Sequence, residues 1–319
     1  MKDIVNYIIK QGMIDKKMAM SLLCEDLDEL CFYANEIRKH FCQNKFDVCS
    51  IVNGKSGTCS ENCRFCSQSS FYQTLSDKYP LMSLEDIKKE ANYNALKGVQ
   101  RFSIVTSGKK LSQKETHDIC EIYKDLKENV SIGLCASCGL LDFKQLKQLK
   151  ESGVQRYHNN LETSKGFFSQ ICTSHTYEDK INNLKLATEA GLVICSGGIM
   201  GMGESFEDRI DLAFQLRDLG VASIPINFLN PIKGTPLENQ RPLTLEEAKR
   251  VIAIFRFILP NAFIRLAGGR QLFEDQGACL FECGANATIT GDMLTTNGIS
   301  IDEDMNMIER QGYEVIAYE

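Results

Sequence analysis

From Phe46 onward, apolar and polar positions along the chain switch between two periods. Short runs with a two-residue period begin near Phe46, Arg101, Val130, Arg156, Leu192, Ala222, Ala262 and Ala287, the pattern of strands with one buried face. Longer stretches with helical spacing lie between them. Their starts carry capping signals, Ser83 with Asp86, Ser112 with Glu115, Thr176 with Asp179, Ser205 with Asp208 and Thr244 with Glu247. Gly98, Gly153, Gly191 and Gly220 close several stretches, as a left-handed C-terminal cap prefers. Pro260 stops the sixth helix before a strand begins. Eight strands with seven helical intervals predict an α/β fold, a (β/α)8 barrel of the TIM type. A doubly wound open sheet is the alternative, but the glycine-rich stretches lack a full GxGxxG pattern. Residues 1–45 read as a helical extension, with Leu22, Leu23, Leu27, Leu30 and Ile37 near helical spacing. The chain is expected to divide into an N-terminal helical cap, 1–45, and a barrel, 46–319.

Alternate residues of a barrel strand face the lumen and the helices in turn. One set of faces is apolar: Phe102 and Ile104, Leu134 and Ala136, Ile224, Ile226 and Phe228, Ile264 and Leu266. The other set holds Arg101, Ser103, Cys135, His158, Asn160, Glu162, Cys195, Asn227 and Arg265. A structural barrel fills its lumen with Val, Ile and Leu. Thiols, amides and two arginines there are destabilising unless a cofactor and substrate satisfy them, so the lumen is predicted to be a binding site.

Composition narrows the setting. In 319 residues, 43% hydrophobic and 24% charged, a full core is expected. A net charge of −6 argues against a nucleic-acid surface. Without a run of about 18 apolar residues, no membrane span is expected. The start, Met1-Lys-Asp-Ile-Val-Asn-Tyr, lacks the apolar core of a signal peptide. Fourteen cysteines in such a chain read as reduced thiols of a cytoplasmic protein, some of them ligating metal. The four histidines, His40, His117, His158 and His175, are scattered and offer no metal-ligand spacing.

Three of the cysteines share one loop, Cys59-Ser-Glu-Asn-Cys63-Arg-Phe-Cys66. Three thiolates at this spacing can hold three irons of a cubane, and with no fourth cysteine in the loop one iron stays open to another ligand. Zinc sites favour paired Cys knuckles totalling four ligands. Cys-x3-Cys-x2-Cys, with Phe65 before the last cysteine, resembles the signature loop of radical S-adenosylmethionine (SAM) enzymes. The resemblance implies a 4Fe–4S cluster on Cys59, Cys63 and Cys66 that binds SAM and splits it into methionine and a 5′-deoxyadenosyl radical.

Four further stretches narrow the resemblance. Tyr157-His-Asn-Asn-Leu-Glu-Thr163, Cys195-Ser-Gly-Gly-Ile-Met-Gly-Met-Gly-Glu204, Ile224-Pro-Ile-Asn-Phe-Leu-Asn-Pro-Ile-Lys-Gly-Thr-Pro236 and Ile264-Arg-Leu-Ala-Gly-Gly-Arg270 are similar to the biotin synthase family, in the same order. That family implies sulfur insertion into dethiobiotin. It places Phe65, Asn160, Glu162, Lys180 and Ile199 around SAM, and Asn160, Asn227 and Arg101 around dethiobiotin. It also implies an external electron donor of flavodoxin or ferredoxin type and a homodimer. A hydrogenase-cofactor maturase or methylornithine synthase is the alternative within the superfamily. An iron–sulfur carrier is the alternative from another class, against which the open iron and amide-lined lumen speak.

Sulfur insertion needs a sulfur source, and the family uses an auxiliary 2Fe–2S cluster on three cysteines and an arginine. Cys135, Cys195 and Arg265 match three of those positions, whereas the remaining cysteine position is Ser103. A serine alkoxide replaces thiolate poorly in iron–sulfur ligation. Cys138 is the expected replacement, provided the backbone turns at Ser137 to bring it into the lumen. Three thiolates on Cys135, Cys138 and Cys195 favour a second four-iron cluster carrying an extra sulfide, with 2Fe–2S as the alternative.

Overall fold

The side chains of Ser83, Ser112, Thr176, Ser205 and Thr244 each accept the backbone N–H three residues on, and a helix starts at each. Asp142 with Gln145 and Ser300 with Glu303 form two further reciprocal capping boxes. The computed structural model describes residues 1–10 and 12–315. Helices α1 (Lys2–Ile9), α2 (Lys16–Ser21) and α3 (Leu27–Cys42) come first, followed by β1 (Lys45–Lys55), α4 (Leu84–Leu96) and β2 (Arg101–Thr106). Next come α5 (Gln113–Asn129), β3 (Gly133–Ser137), α6 (Phe143–Glu151), β4 (Arg156–His158), α7 (Phe168–Ile171) and α8 (Tyr177–Glu189). Then follow β5 (Val193–Cys195), β6 (Gly198–Met200), α9 (Phe206–Asp218), β7 (Ser223–Phe228), α10 (Leu245–Ile258) and β8 (Phe263–Leu266). The chain finishes with β9 (Ala287–Thr290), α11 (Ile301–Arg310) and β10 (Glu314–Val315).

The strands are parallel in the order β1-β2-β3-β4-β5-β7-β8-β9, and β9 pairs back onto β1 from Asp47↔Ala287 to Ser50↔Thr290. This closes the (β/α)8 barrel that the alternation predicts. Two details differ from the sequence pattern. The fifth stave is broken into β5 and β6 at residues 196–197, where the backbone runs so close to β7 that a Cβ on Gly197 would lie 1.9 Å from Pro225 O. The connection from β8 to β9 carries only 3-10 turns, Arg270–Leu272 and Ala278–Phe281.

The apolar core lies between the barrel wall and its helices. Phe102, Ile104, Leu134, Ile224, Ile226, Ile264 and Leu266 are all buried there, so the lumen is left to the polar set. Helices α1–α3 lie along one flank: α3 packs on α10 and α2 on α9. Arg217 Nη1 donates to Ile14 O at 2.8 Å and Arg250 Nη1 to Glu25 O at 3.0 Å, fastening the flank. The long segment after β1 and the segment after β9 meet at the C-terminal end of the barrel, where Ser67 Oγ donates to Thr295 Oγ1 at 2.9 Å and Asn53 Nδ2 to Leu294 O at 2.9 Å. That is the end at which TIM barrels carry their chemistry.

Candidate active site

At the floor of the lumen one fully buried carboxylate, Asp47, faces three buried guanidinium groups. Arg265 Nη2 lies 2.8 Å from Oδ1, and Arg101 Nε and Arg156 Nη2 lie 3.4 and 3.5 Å from Oδ2. Burial alone raises a carboxyl pKa, but Arg265, Arg156 and Arg101 outweigh it and hold Asp47 down to about 2. Three positive charges against one negative leave this floor with an excess of two.

Cys49, Cys135 and Cys195 line the cavity above the floor, together with Ser103. A hydrogen bond from Cys49, helped by Arg156 and Arg101, overcomes burial and brings Cys135 down to about 6. Cys195 is also lowered: burial opposes ionisation, but His158, Arg156 and Arg265 prevail. Its Sγ lies 3.4 Å from His158 Nδ1.

The expectation for Cys138 is corrected here. Strand β3 runs straight through Ser137, which pairs with Val105 of β2, so the required turn does not occur. Residue 138 keeps the outward parity and is buried in the layer between barrel and helices, its thiol against Thr106. Desolvation pushes that thiol up to about 12. Arg101 is corrected too. It has lumen parity, but as the first residue of β2 it sits at the floor, bonded to Asp47 and to Gln155 Oε1 at 3.3 Å. It does not line the cavity wall.

The cavity of about 400 Å³ is lined higher up by Phe65, Asn160, Glu162, Lys180, Ile199 and Asn227. Glu162 sits at φ +71°, where Ile199 N donates to its carbonyl at 2.9 Å, tying the segment after β4 to β6. Gly197 N donates to Asn160 Oδ1 at 3.0 Å. Desolvation raises the Glu162 pKa, and its Oε2 is buried without a hydrogen-bond partner among the described residues. Lys180 Nζ donates to Asn159 Oδ1 at 2.9 Å. Asn227 donates to Gly198 O at 3.2 Å and accepts from Gly268 N at 3.0 Å. One N–H and one lone pair of its amide remain for a ligand.

The cysteine loop turns tightly, with Cys66 N donating to Cys63 O at 3.0 Å and Ser70 N to Cys59 O at 2.8 Å. Its three thiols are partly exposed. Desolvation moves Cys66 up to about 11.

Residues 55–216 match the Radical SAM superfamily, and residues 225–314 match the Biotin and Thiamin Synthesis associated domain. A biotin synthase from Brachyspira hyodysenteriae is 54% identical over 97% of this chain and 92% of its own length. One from Clostridium botulinum (strain Loch Maree / Type A3) is 54% identical over 99% and 100%. The chain belongs to the biotin synthase family. Two solved structures share the fold alone. Methylornithine synthase superposes with a TM-score of 0.84 at 18% identity, covering 98% of this chain and 97% of its own. The FeFe-hydrogenase maturase from Carboxydothermus hydrogenoformans gives 0.81 at 17%, covering 98% and 78%.

As a member of the biotin synthase family the chain takes a 4Fe–4S cluster and SAM, and its residues fit them. The loop offers three thiols and no fourth, and Glu162 Oε2 is an unpartnered acceptor in the cavity wall. Ser103 Oγ and Arg156 Nε are likewise buried and unpartnered among the described residues, and both residues face the three lumen thiols. A floor with excess positive charge suits an anionic thiolate-ligated cluster. Sequence reasoning missed Cys49, Asp47 and Arg156. Splitting β1 by period two was the available signal, because Asp47, Cys49 and Ile51 share one face.

Proposed function

We propose that the chain converts dethiobiotin to biotin, inserting sulfur between two unactivated carbons. One observation carries this reading: three lumen thiols on a cationic floor share a single cavity with Asn227 and the residues suited to SAM. When bound, the loop cluster with SAM supplies one-electron chemistry able to take hydrogen from unactivated carbon. The residues of the chain supply position. Glu162 and Asn160 face the ribose hydroxyls, Ile199 and Phe65 flank the nucleoside, and Lys180 brings positive charge toward the methionine carboxylate. The free N–H and lone pair of Asn227 match the donor and acceptor of a ureido ring.

The sulfur source in this proposal is a second iron–sulfur cluster held by Cys49, Cys135 and Cys195. Three thiolates suit a four-iron cluster with an extra sulfide, and 2Fe–2S is the alternative. Arg265 balances its charge and is not a ligand, since two of its nitrogens are already committed to Asp47 and Thr288. Ser103 is a hydrogen-bond donor toward it. A flavodoxin- or ferredoxin-type reductant, a homodimer and a cytoplasmic setting complete the reading.

The test is anaerobic turnover of the fully loaded protein with dethiobiotin, SAM and reductant. Biotin should appear alongside 5′-deoxyadenosine. Asn227→Leu, which leaves a buried polar partner unpaired at about 1–3 kcal/mol, should weaken dethiobiotin binding about 5- to 150-fold while SAM cleavage persists. Absence of biotin from the loaded protein overturns the assignment.

A further inference from the structure

Beside the cysteine loop lies a cluster that the reaction above does not use. The end of α7 and the segment after it dock on the loop: Arg64 N donates to Ile171 O at 2.9 Å, and Asn62 N to Ser174 Oγ at 3.0 Å. This docking brings Cys172 Sγ to 3.7 Å from Cys63 Sγ. His175 Nδ1 and Nε2 lie 3.4 and 3.8 Å from Cys172 Sγ, and Nδ1 also faces Glu61 Oε2 at 2.5 Å. Glu61 is held in turn by Ser174 Oγ, which donates to the same oxygen at 2.8 Å. Cys172, His175 and Glu61 are all buried.

The Cys63–Cys172 spacing and the Cys172–His175 Nε2 spacing are close to those of a metal tetrahedron. With metal–sulfur bonds near 2.3 Å and metal–nitrogen bonds near 2.05 Å, tetrahedral angles put two sulfurs about 3.8 Å apart and sulfur and nitrogen about 3.6 Å apart. Ligand atoms of Cys63, Cys172 and His175 all lie within 4.8 Å of one another. Metal-ligating histidines commonly donate their other ring N–H to a carboxylate, which fixes the tautomer. Glu61 occupies that position, leaving Nε2 for the ion.

We propose that, in the chain before its cluster is built, Cys63, Cys172 and His175 hold a single thiophilic divalent cation, Fe2+ or Zn2+, with Glu61 orienting the histidine. Three protein ligands leave the fourth position for an exogenous ligand. Because Cys63 also belongs to the cluster loop, the ion and the cluster exclude each other. The site therefore marks where a first iron is received at the loop. It stands independently of which substrate the enzyme converts.

The probe is Co2+, whose intense visible d–d bands report tetrahedral thiolate coordination. Added anaerobically to the full chain freed of iron and sulfide, it should bind as a single tetrahedral ion and protect Cys172 from alkylation, read by mass spectrometry. Cys63→Ala and Cys172→Ala should lose the bands, and Glu61→Gln should bind about 10- to 100-fold more weakly. Cys59→Ala and Cys66→Ala should bind as the parent does, whereas the cluster-loaded protein should not take the ion. Circular dichroism melts establish that each variant is folded. If Cys172→Ala misfolds, the alkylation readout on the unaltered chain decides. Bands kept in Cys172→Ala, bands lost in Cys59→Ala, or Cys172 alkylated equally with and without Co2+ would overturn the proposal.

Discussion

Asp47 concentrates the electrostatics of the lumen floor. Removing one member of a buried ionic group leaves uncompensated charge and typically costs about 3–5 kcal/mol, so Asp47→Asn should lower the denaturant midpoint by that equivalent in the cluster-free chain. The loss should shrink once the lumen cluster is installed, because its negative charge meets the same guanidinium groups. An unchanged midpoint would contradict the role given to this carboxylate. The acid limit follows with its sign. Asp47 is held at about 2 when folded, below a value near 3.9 for an unfolded aspartate. Its stabilisation is therefore complete above about pH 4 and is lost as pH falls through 2. Asp47→Asn should lose that part of the acid transition, visible in pH-dependent melts. At the same scale, Cys49→Ala should abolish the second cluster and Cys138→Ala should keep it. Iron analysis distinguishes the nuclearities, roughly eight irons per chain for two four-iron clusters against six.

Elements place the site through two close approaches. In β6, a Cβ on Gly198 would lie 2.4 Å from Glu162 O and 2.6 Å from Leu212 Cδ2. Gly198→Ala must push β6 from the segment after β4 and carry Glu162 and Asn160 with it. A misplacement of about 1 Å costs on the order of 100-fold in rate, so 5′-deoxyadenosine formation should fall by that order while the barrel still melts cooperatively. Formation at the parent rate would mean that β6 does not position the SAM residues. The cysteine loop is the other such element. Each of Cys59→Ala, Cys63→Ala and Cys66→Ala should abolish SAM cleavage, measured as 5′-deoxyadenosine released with a strong reductant. A triple variant that still releases it would remove the loop from the chemistry.

For the molecule as a whole, a polar lumen means that stability and loading are coupled. Unpartnered groups such as Ser103 Oγ, Arg156 Nε and Glu162 Oε2 are costs that bound cofactors relieve. SAM supplied at 100 times its dissociation constant should add about 2.7 kcal/mol to the cluster-loaded protein. Anaerobic calorimetry should show the melting temperature rising with SAM in the loaded protein and not in the cluster-free one. A rise of equal size in both would place SAM binding away from the loop cluster.

Sequence by itself determined the barrel, the caps that start its helices and the polar set of faces. Each of these rests on local physics: period-two burial, side chains accepting the first free N–H groups, and strand alternation. It also placed the thiols of the cysteine loop, since a three-residue and a two-residue gap bring them together without help from the rest of the chain. Tertiary structure decided whatever depends on where separate staves meet. Whether Cys138 reaches the lumen turned on β3 running straight through Ser137, which pairing with Val105 enforces. Arg101 has lumen parity, yet its height on β2 gives it to Asp47, because parity sets the face and only stave register sets the depth. His175 looked isolated among scattered histidines. The docking of the segment after α7 places it beside Cys172, itself against a thiol 109 positions earlier in the chain, a proximity that spacing cannot encode.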